Sequence, residues 1–174
     1  AIHDGRIKAV WIMATNPAVS LPNSTRIREA LANCPLVVVS DCMAETDTMA
    51  FAHVKLPALA WGEKDGTVTN SERRISRQRR MVPLPGDARS DWAIVADVAR
   101  RMNSAWDRAF GWHGPDAVFA EHAGLTAFEN TGQRFLNLSG LTGLTRRDYD
   151  ALTPTRWPVT DKGSTHRLFA DGRF

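Results

Sequence analysis

Apolar runs and helical periodicity alternate along the N-terminal part of the chain. Residues 9–14 (AVWIMA) form a short, continuous apolar run with Val and Ile, which favours a buried strand of a parallel sheet. Residues 23–34 (NSTRIREALANC) place apolar residues at helical spacing behind a capping Asn23 or Ser24, and a proline ends this helix. Residues 36–40 (LVVVS) are a second β-branched run. The order strand, helix, strand predicts a right-handed βαβ unit.

The strand and helix pattern continues beyond the second strand. Residues 53–59 (HVKLPAL) favour a third strand, and residues 67–69 an edge strand behind turn glycines. A helix is predicted from about residue 90 to residue 102, with Ser90 or Asp91 as its cap. Its predicted apolar stripe comprises Trp92, Val95, Val98, Ala99 and Met102.

The periodicity weakens towards the C-terminus. A helix with Asp116 in its first turn and one further short helix are predicted there, whereas residues 153–174 are interrupted by Pro and Gly. We therefore expect an α/β fold, with a parallel sheet flanked by helices over residues 1–110. An irregular, partly helical extension of the same domain is expected over residues 111–174.

Composition limits the classes of protein without selecting one. The 174 residues suit one domain, and 43% hydrophobic residues suffice for a core. The formal charge of +3 is mild and does not by itself require nucleic acid. No apolar run approaches the roughly 20 residues of a membrane-spanning helix. Cys34 and Cys42 lack metal-ligand spacing, so we expect buried free thiols. Both ends of the sequence lead us to expect a domain from a longer chain.

Polar side chains follow two of the predicted strands. Thr15, Asn16 and Pro17 come after the first strand, and Ser40 and Asp41 end the second. Ligands bind beyond the carboxyl ends of strands in open α/β sheets. A carboxylate there can accept two hydrogen bonds from a guanine edge or a ribose diol. These residues therefore either form one wall of a nucleotide site or satisfy turns and helix starts.

Other motifs give weaker indications of chemistry. The chain contains neither GxGxxG nor GxxxxGK[ST], its five histidines are scattered, and it shows no nucleophile signature. We therefore predict no catalytic residue and no metal ligand within it. An arginine-rich run has two interpretations, a phosphate- or RNA-binding surface and a solvated or interdomain face. Its members are Arg73, Arg74, Arg77, Arg79 and Arg80.

Four segments, in this order, resemble the molybdopterin oxidoreductases, the bis-molybdopterin guanine dinucleotide enzymes of the dimethyl sulfoxide reductase family. They are AVWIMATNPAVSLPN, LVVVSDCMAETDT, HVKLPALAWGEKDGTVTNSERR and DARSDWAIVADVARRM. The resemblance covers residues 8–103 and implies the third domain of such an enzyme, with a Rossmann-like sheet. The remaining tail is similar to the assimilatory nitrate reductase catalytic subunits.

The resemblance implies a cofactor-binding role for five residues. Asn16 is implied as a contact after the first strand, and Ser40 and Asp41 as the pair that meets the guanosine end. Lys64 matches the family's cofactor-binding lysine, and Asp91 a further contact before its helix. An ammonium suits a pyrophosphate, and carboxylates suit guanine and ribose edges.

The resemblance also implies what this chain lacks. The iron–sulfur cysteines, the region that ligates molybdenum and the C-terminal domain of the family have no counterpart in it. We therefore expect a cytoplasmic enzyme fragment that is inactive alone and whose partners are the remaining domains of the parent enzyme. We expect neither nucleic acid nor a membrane as a partner, and the resemblance does not identify the electron donor. The parent would reduce nitrate to nitrite. The alternatives are a formate dehydrogenase, a nucleic-acid-binding α/β domain using Arg73–Arg80, and a purely structural domain.

Overall fold

The computed structural model describes residues 1–164 and 172–173, which belong to two compact units. The first unit comprises Ala1–Glu63 and Val82–Asp107, and the second comprises Lys64–Met81 and the chain from Arg108 onward. The division expected from the sequence, with a domain over residues 1–110 and an extension over residues 111–174, stays a prediction.

Short strands and helices follow one another through both units. In chain order they are β1 (Ala9–Met13), α1 (Pro17–Ser20), α2 (Ser24–Ala32), β2 (Leu36–Asp41), β3 (Val54–Pro57), β4 (Gly66–Thr69), β5 (Arg74–Gln78), α3 (Asp91–Met102), α4 (Pro115–Ala127), α5 (Arg146–Asp150), β6 (Thr155–Arg156), β7 (Val159–Thr160) and β8 (Gly163–Ser164). Single 3-10 turns occur at Met49–Phe51, Trp61–Glu63, Ser104–Trp106 and Ser139–Leu141.

The first unit contains the predicted parallel sheet, with strand order β1-β2-β3. Ala9 pairs with Leu36, and Val38 pairs with Val54. A parallel bridge between Ala58 and Arg89 adds the stretch before α3 to the β3 side of the sheet. The expectation of an α/β fold with a parallel sheet is therefore confirmed. The three strands of this sheet have their carboxyl ends at the same edge. The stretch that leads into α3 reaches this edge as well, beside the end of β3.

The core of the first unit lies between the sheet and α2. Val37 and Val39 of β2 are completely buried, and Leu31 is 3% exposed. Asn23 caps α2 from the left-handed region (φ 55°), which Asn tolerates, and its side chain accepts a hydrogen bond from the Arg26 amide. The predicted helix start is therefore confirmed.

The two cysteines differ in their surroundings. Both are free thiols, and Cys34 is buried as expected. The prediction that Cys42 is also buried is wrong. Cys42 directly follows the last residue of β2 and is exposed.

The predicted apolar stripe of α3 is only partly correct. The buried residues are Ile94, Ala96 and Ala99, whereas Met102 is 72% exposed. Small side chains allow a helix to approach its neighbour closely, and larger ones at the margin of the contact stay partly open to solvent. The buried face of α3 therefore comprises Ile94, Ala96 and Ala99 and shares only Ala99 with the predicted stripe.

The second unit has an antiparallel sheet of order β4-β5-β6, a hairpin of β7 and β8, and the helices α4 and α5. The edge strand predicted at residues 67–69 is β4, and both predicted C-terminal helices are present. Strand β5 was not predicted, because the arginine-rich run was interpreted as a surface. The core of this unit contains Ile75, Phe119, Ala123, Leu138, Leu141, Tyr149 and Val159.

Candidate functional site

A cleft of about 460 Å³ opens at the carboxyl edge of the parallel sheet in the first unit. It lies beyond the ends of β2 and β3 and beside the stretch that leads into α3. Its walls are formed by Asp41, Cys42, Met43, Ala44, Met49, Lys55, Pro57, Ala58, Glu63, Pro85, Asp87 and Ala88. This is the position where open α/β sheets bind their ligands.

Asp41 is the predicted site residue that lines the cleft. It is the last residue of β2, and its backbone carbonyl accepts a hydrogen bond from the Ala58 amide. Its Oδ1 accepts a hydrogen bond from the Met43 amide at 3.0 Å, which fixes the carboxylate over the turn after β2. A carboxylate has further lone pairs, so Asp41 can satisfy the turn and also accept from a ligand.

Ser40 is completely buried inside the sheet. Its hydroxyl oxygen accepts a hydrogen bond from the indole Nε1 of Trp11 at 2.8 Å. This bond joins neighbouring strands, because Trp11 lies on β1. In this structure Ser40 therefore supports the strand that presents Asp41, and the cofactor contact implied for it stays a prediction.

Asn16 forms a polar link between two loops at the same edge. Its Oδ1 accepts two hydrogen bonds from Thr48, one from the backbone amide at 3.1 Å and one from the hydroxyl at 2.6 Å. Asp47 has a lowered pKa chiefly because Arg28 donates a hydrogen bond to it, and Asn16 lowers this pKa further. Asn16 thus joins the loop after β1 to the loop after β2, and its direct cofactor contact stays a prediction.

Lys64 and Asp91 are the remaining predicted residues. Asp91 is half-buried and is the first residue of α3, where the positive end of the helix dipole favours a carboxylate. It belongs to the same unit as Asp41 but not to the walls of the cleft. Lys64 is half-buried and belongs to the second unit, two residues before β4. The cofactor roles implied for both residues stay predictions.

Three charged residues of the cleft were missed in the sequence. Lys55 lies on β3, Glu63 ends the turn that begins at Trp61, and Asp87 precedes α3. The side chain of Glu63 accepts a hydrogen bond from the Ala60 amide at 2.7 Å. Lys55 was detectable as a charge inside a predicted strand. Asp87 has no local signal, because the Ala58–Arg89 bridge that brings its segment to the sheet is a long-range contact.

The arginine-rich run is not a uniformly solvated face. Arg77 lies on β5, its side chain is 3% exposed, and it forms ion pairs with Asp65 at 2.6 Å and Asp150 at 2.9 Å. Arg73 donates a hydrogen bond to the Trp157 carbonyl. For Arg77 the solvated-face interpretation is therefore wrong, because alternation along β5 puts it on the same side as buried Ile75.

The described residues show neither a metal-ligating cluster nor a helix that could span a membrane. They contain no group of three or more His, Cys, Asp or Glu side chains placed to hold a metal ion. Among them there is also no helix of the length and apolarity that crossing a membrane requires.

Comparison with known proteins identifies the family of this chain. The family model described as molybdopterin oxidoreductase matches residues 1–101. This chain belongs to the molybdopterin oxidoreductase family, as the sequence resemblance implied. A nitrate reductase of Klebsiella oxytoca is 59% identical over 160 residues, which are 92% of this chain and 18% of that protein. A nitrate reductase of Shewanella frigidimarina is 46% identical over 180 residues, 100% of this chain and 19% of that protein. The assimilatory nitrate reductase catalytic subunit of Bacillus subtilis is 33% identical over 171 residues, 98% of this chain and 23% of that protein.

The chain spans about a fifth of the length of the curated relatives it matches. The family implies a molybdenum–pterin cofactor, and the chemistry of the cleft fits the organic part of such a group. Asp41, Glu63 and Asp87 supply carboxylate acceptors for ring or ribose donors, and Lys55 supplies a cation for an anionic group.

Proposed function

We propose that this chain is a cofactor-binding part of a molybdenum nitrate reductase and holds the guanosine end of a molybdopterin guanine dinucleotide. The observation that carries the proposal is the position of Asp41 at the carboxyl end of β2, in the wall of a cleft with three carboxylates and one lysine. Guanine offers two adjacent N–H donors, which a carboxylate accepts as a pair.

Different observations support the roles proposed for different residues. Asp41, Glu63 and Asp87 are the acceptors we assign to guanine and ribose, and Lys55 is the cation in the same cleft. Ser40 and Asn16 have an indirect role in the proposal. Ser40 supports the strand that presents Asp41, and Asn16 joins the loops after β1 and β2. Lys64 and Asp91 remain residues for which the family resemblance alone suggests a cofactor contact.

The proposed parent enzyme transfers an oxygen atom out of nitrate and releases nitrite. When bound, the molybdenum cofactor supplies the two-electron chemistry of that reaction, and the residues of this chain bind and orient its organic end. An iron–sulfur cluster, a second dinucleotide, the remaining domains and a cytoplasmic location are further parts of the proposal. They rest on the resemblance to nitrate reductases, and the chain alone is expected to be inactive.

A formate dehydrogenase is the second candidate for the parent. The subunit alpha of an F420-dependent formate dehydrogenase of Methanococcus maripaludis is 37% identical over 121 residues, 70% of this chain and 18% of that protein. Nitrate reduction is favoured because the three nitrate reductases above align over more than nine tenths of this chain. The nucleic-acid alternative is weakened by the internal bonds of Arg73 and Arg77.

Analysis of the full-length parent protein tests the proposal. Purified protein is expected to contain molybdenum and a pterin and to release GMP, not AMP or CMP, on acid hydrolysis. It is expected to reduce nitrate and not to oxidise formate when an artificial electron carrier is supplied. Molybdenum without a guanine nucleotide would contradict the dinucleotide assignment, and formate oxidation without nitrate reduction would favour the second candidate.

A further inference from the structure

Thr48 is a completely buried polar residue that directly precedes the 3-10 turn at Met49–Phe51. Its side chain forms no capping bond with that turn. The hydroxyl of Thr46 accepts the hydrogen bond from the Met49 amide instead, at 3.1 Å. The buried hydroxyl of Thr48 is therefore directed to a different part of the molecule.

That part is the loop after β1. The Thr48 amide and hydroxyl both donate to Oδ1 of Asn16, at 3.1 Å and 2.6 Å. The Thr48 hydroxyl oxygen also accepts a hydrogen bond from the Ala18 amide at 3.1 Å. Ala18 is completely buried too, so its bond to Thr48 is shielded from water, and the two bonds to Asn16 are partly buried. Such bonds cost free energy when one partner is removed, because the other partner stays buried and unsatisfied.

These bonds determine which end of the Asn16 amide faces inward. A backbone N–H can only donate, so the Asn16 atom beside the Thr48 amide must be the oxygen. The Asn16 nitrogen lies on the other side of the amide, and Asn16 also helps to lower the pKa of Asp47, to which Arg28 donates a hydrogen bond at 2.6 Å. An amide nitrogen carries two hydrogens, so it can donate to a neighbouring side chain and also to a ligand.

We propose that Thr48 is a positioning residue for Asn16, which it orients so that Asn16 presents a hydrogen-bond donor to an acceptor oxygen of the bound cofactor. The inference rests on the proposed function, since it takes the loop after β1 as part of the cofactor site. Thr48 is out of reach of the cofactor itself, because its side chain has no exposed surface. Its effect on cofactor binding passes through Asn16.

Two substitutions separate positioning from packing. Thr48→Val preserves the shape of the side chain and removes the hydroxyl that bonds Asn16 and Ala18. Thr48→Ser preserves the hydroxyl and removes a methyl group from the core. A positioning role predicts damage from the valine variant and rescue by the serine variant, whereas a packing role predicts the reverse.

The experiment measures cofactor retention in the full-length parent protein. Molybdenum and pterin per polypeptide are followed during prolonged buffer exchange, beside thermal unfolding of the cofactor-free forms. Thr48→Val is expected to lose the cofactor about tenfold faster than wild type, and Thr48→Ser to stay within about twofold of it. Asn16→Ala is expected to match Thr48→Val, and the double variant to be no worse than either, because the two residues act as one unit.

Several results would overturn the inference. They are unchanged retention in Thr48→Val, unchanged retention in Asn16→Ala, equal loss in Thr48→Ser and Thr48→Val, and effects of the Asn16 and Thr48 changes that add in the double variant. Failure of the proposed function has a different signature, because a wild-type parent without molybdenum or pterin would contradict it before any variant is compared. A wild type that binds the cofactor, together with an Asn16→Ala variant that retains it, would remove only the inference.

Discussion

The guanidinium carbon of Arg77 lies 4.3 Å from the centre of the Tyr149 ring, in the interior of the second unit. The side chain of Arg77 is 3% exposed and Tyr149 is 2% exposed. Arg77 also donates hydrogen bonds to Asp65 and Asp150, whose carboxylates reach solvent at the other side. The charge of Arg77 is thus enclosed between an aromatic ring and two carboxylates, and β5 is anchored to the loop before β4 and to α5.

Replacing Arg77 tests this anchoring. Arg77→Met is expected to lower the free energy of unfolding by about 2 to 4 kcal/mol, because the ring contact and several charge-assisted hydrogen bonds are lost together. Arg80→Met is the matched control, since Arg80 belongs to the same run but is exposed, and its expected effect is within about 0.5 kcal/mol. Denaturant unfolding measures both, and equal effects of the two changes would contradict the buried role of Arg77.

Tyr149 gives a prediction about alkaline stability. Burial raises its pKa to about 12, and among the described residues its hydroxyl has no hydrogen-bond partner. A tyrosine in the unfolded chain titrates near pH 10. Between about pH 10 and about pH 12 the unfolded chain therefore binds fewer protons than the folded protein, and stability falls as the pH rises.

Tyr149→Phe is expected to remove this loss and to leave stability near neutral pH unchanged or slightly higher. The measurement is the unfolding free energy of both forms across the alkaline range. Tyr149 is the one tyrosine of the chain, so the absorbance of tyrosinate reports its ionisation directly. Parallel pH profiles for the two proteins, or ionisation near pH 10 in the folded state, would contradict the prediction.

Local pattern was sufficient for the parallel half of the fold. The apolar runs of β1 and β2, the cap at Asn23 and the proline after α2 are signals within a few residues of the elements they specify. Strand β5 shows why local sequence pattern is not sufficient in the rest of the chain. The arginine-rich run was interpreted as a surface because of its charge, as is usual for arginine, but the two carboxylates that compensate the burial of Arg77 come from distant positions.

The candidate site, like the fold, could be predicted only in part from the sequence. The end of a predicted parallel strand located Asp41 at the edge where the cleft opens. The partners of Ser40 and Asn16 could not be predicted, because Trp11 is 29 positions from Ser40 and Thr48 is 32 positions from Asn16. A hydroxyl or an amide in sequence does not reveal whether a ligand or a neighbouring strand will satisfy it.

Asp41 is the residue whose loss should affect the cofactor most directly. Asp41→Asn keeps an oxygen that can accept from the Met43 amide, so the turn after β2 is expected to persist. The second carboxylate oxygen becomes a donor group, which faces the N–H donors assigned to guanine. The full-length parent is therefore expected to lose its cofactor about tenfold faster, with an unfolding temperature of the cofactor-free form close to wild type.

Asp107→Asn is the control for Asp41→Asn, since Asp107 is an exposed carboxylate of the same unit outside the cleft walls. Its cofactor content is expected to equal that of wild type. Wild-type retention in Asp41→Asn would remove Asp41 from the site, whereas equal losses in both variants would attribute the effect to net charge.

The hydrogen bond between Trp11 and Ser40 allows a test of whether Ser40 has a structural role or binds the cofactor. If Ser40 acts only within the sheet, Ser40→Ala lowers the free energy of unfolding by about 1 kcal/mol, because the indole N–H loses its acceptor. Trp11→Phe removes the donor, and in the double variant the loss of the serine hydroxyl is expected to cost almost nothing further. Cofactor retention in the full-length parent is then unchanged by Ser40→Ala. A retention loss in Ser40→Ala that persists in the Trp11→Phe background would instead assign the hydroxyl of Ser40 to the cofactor, as the family resemblance implies.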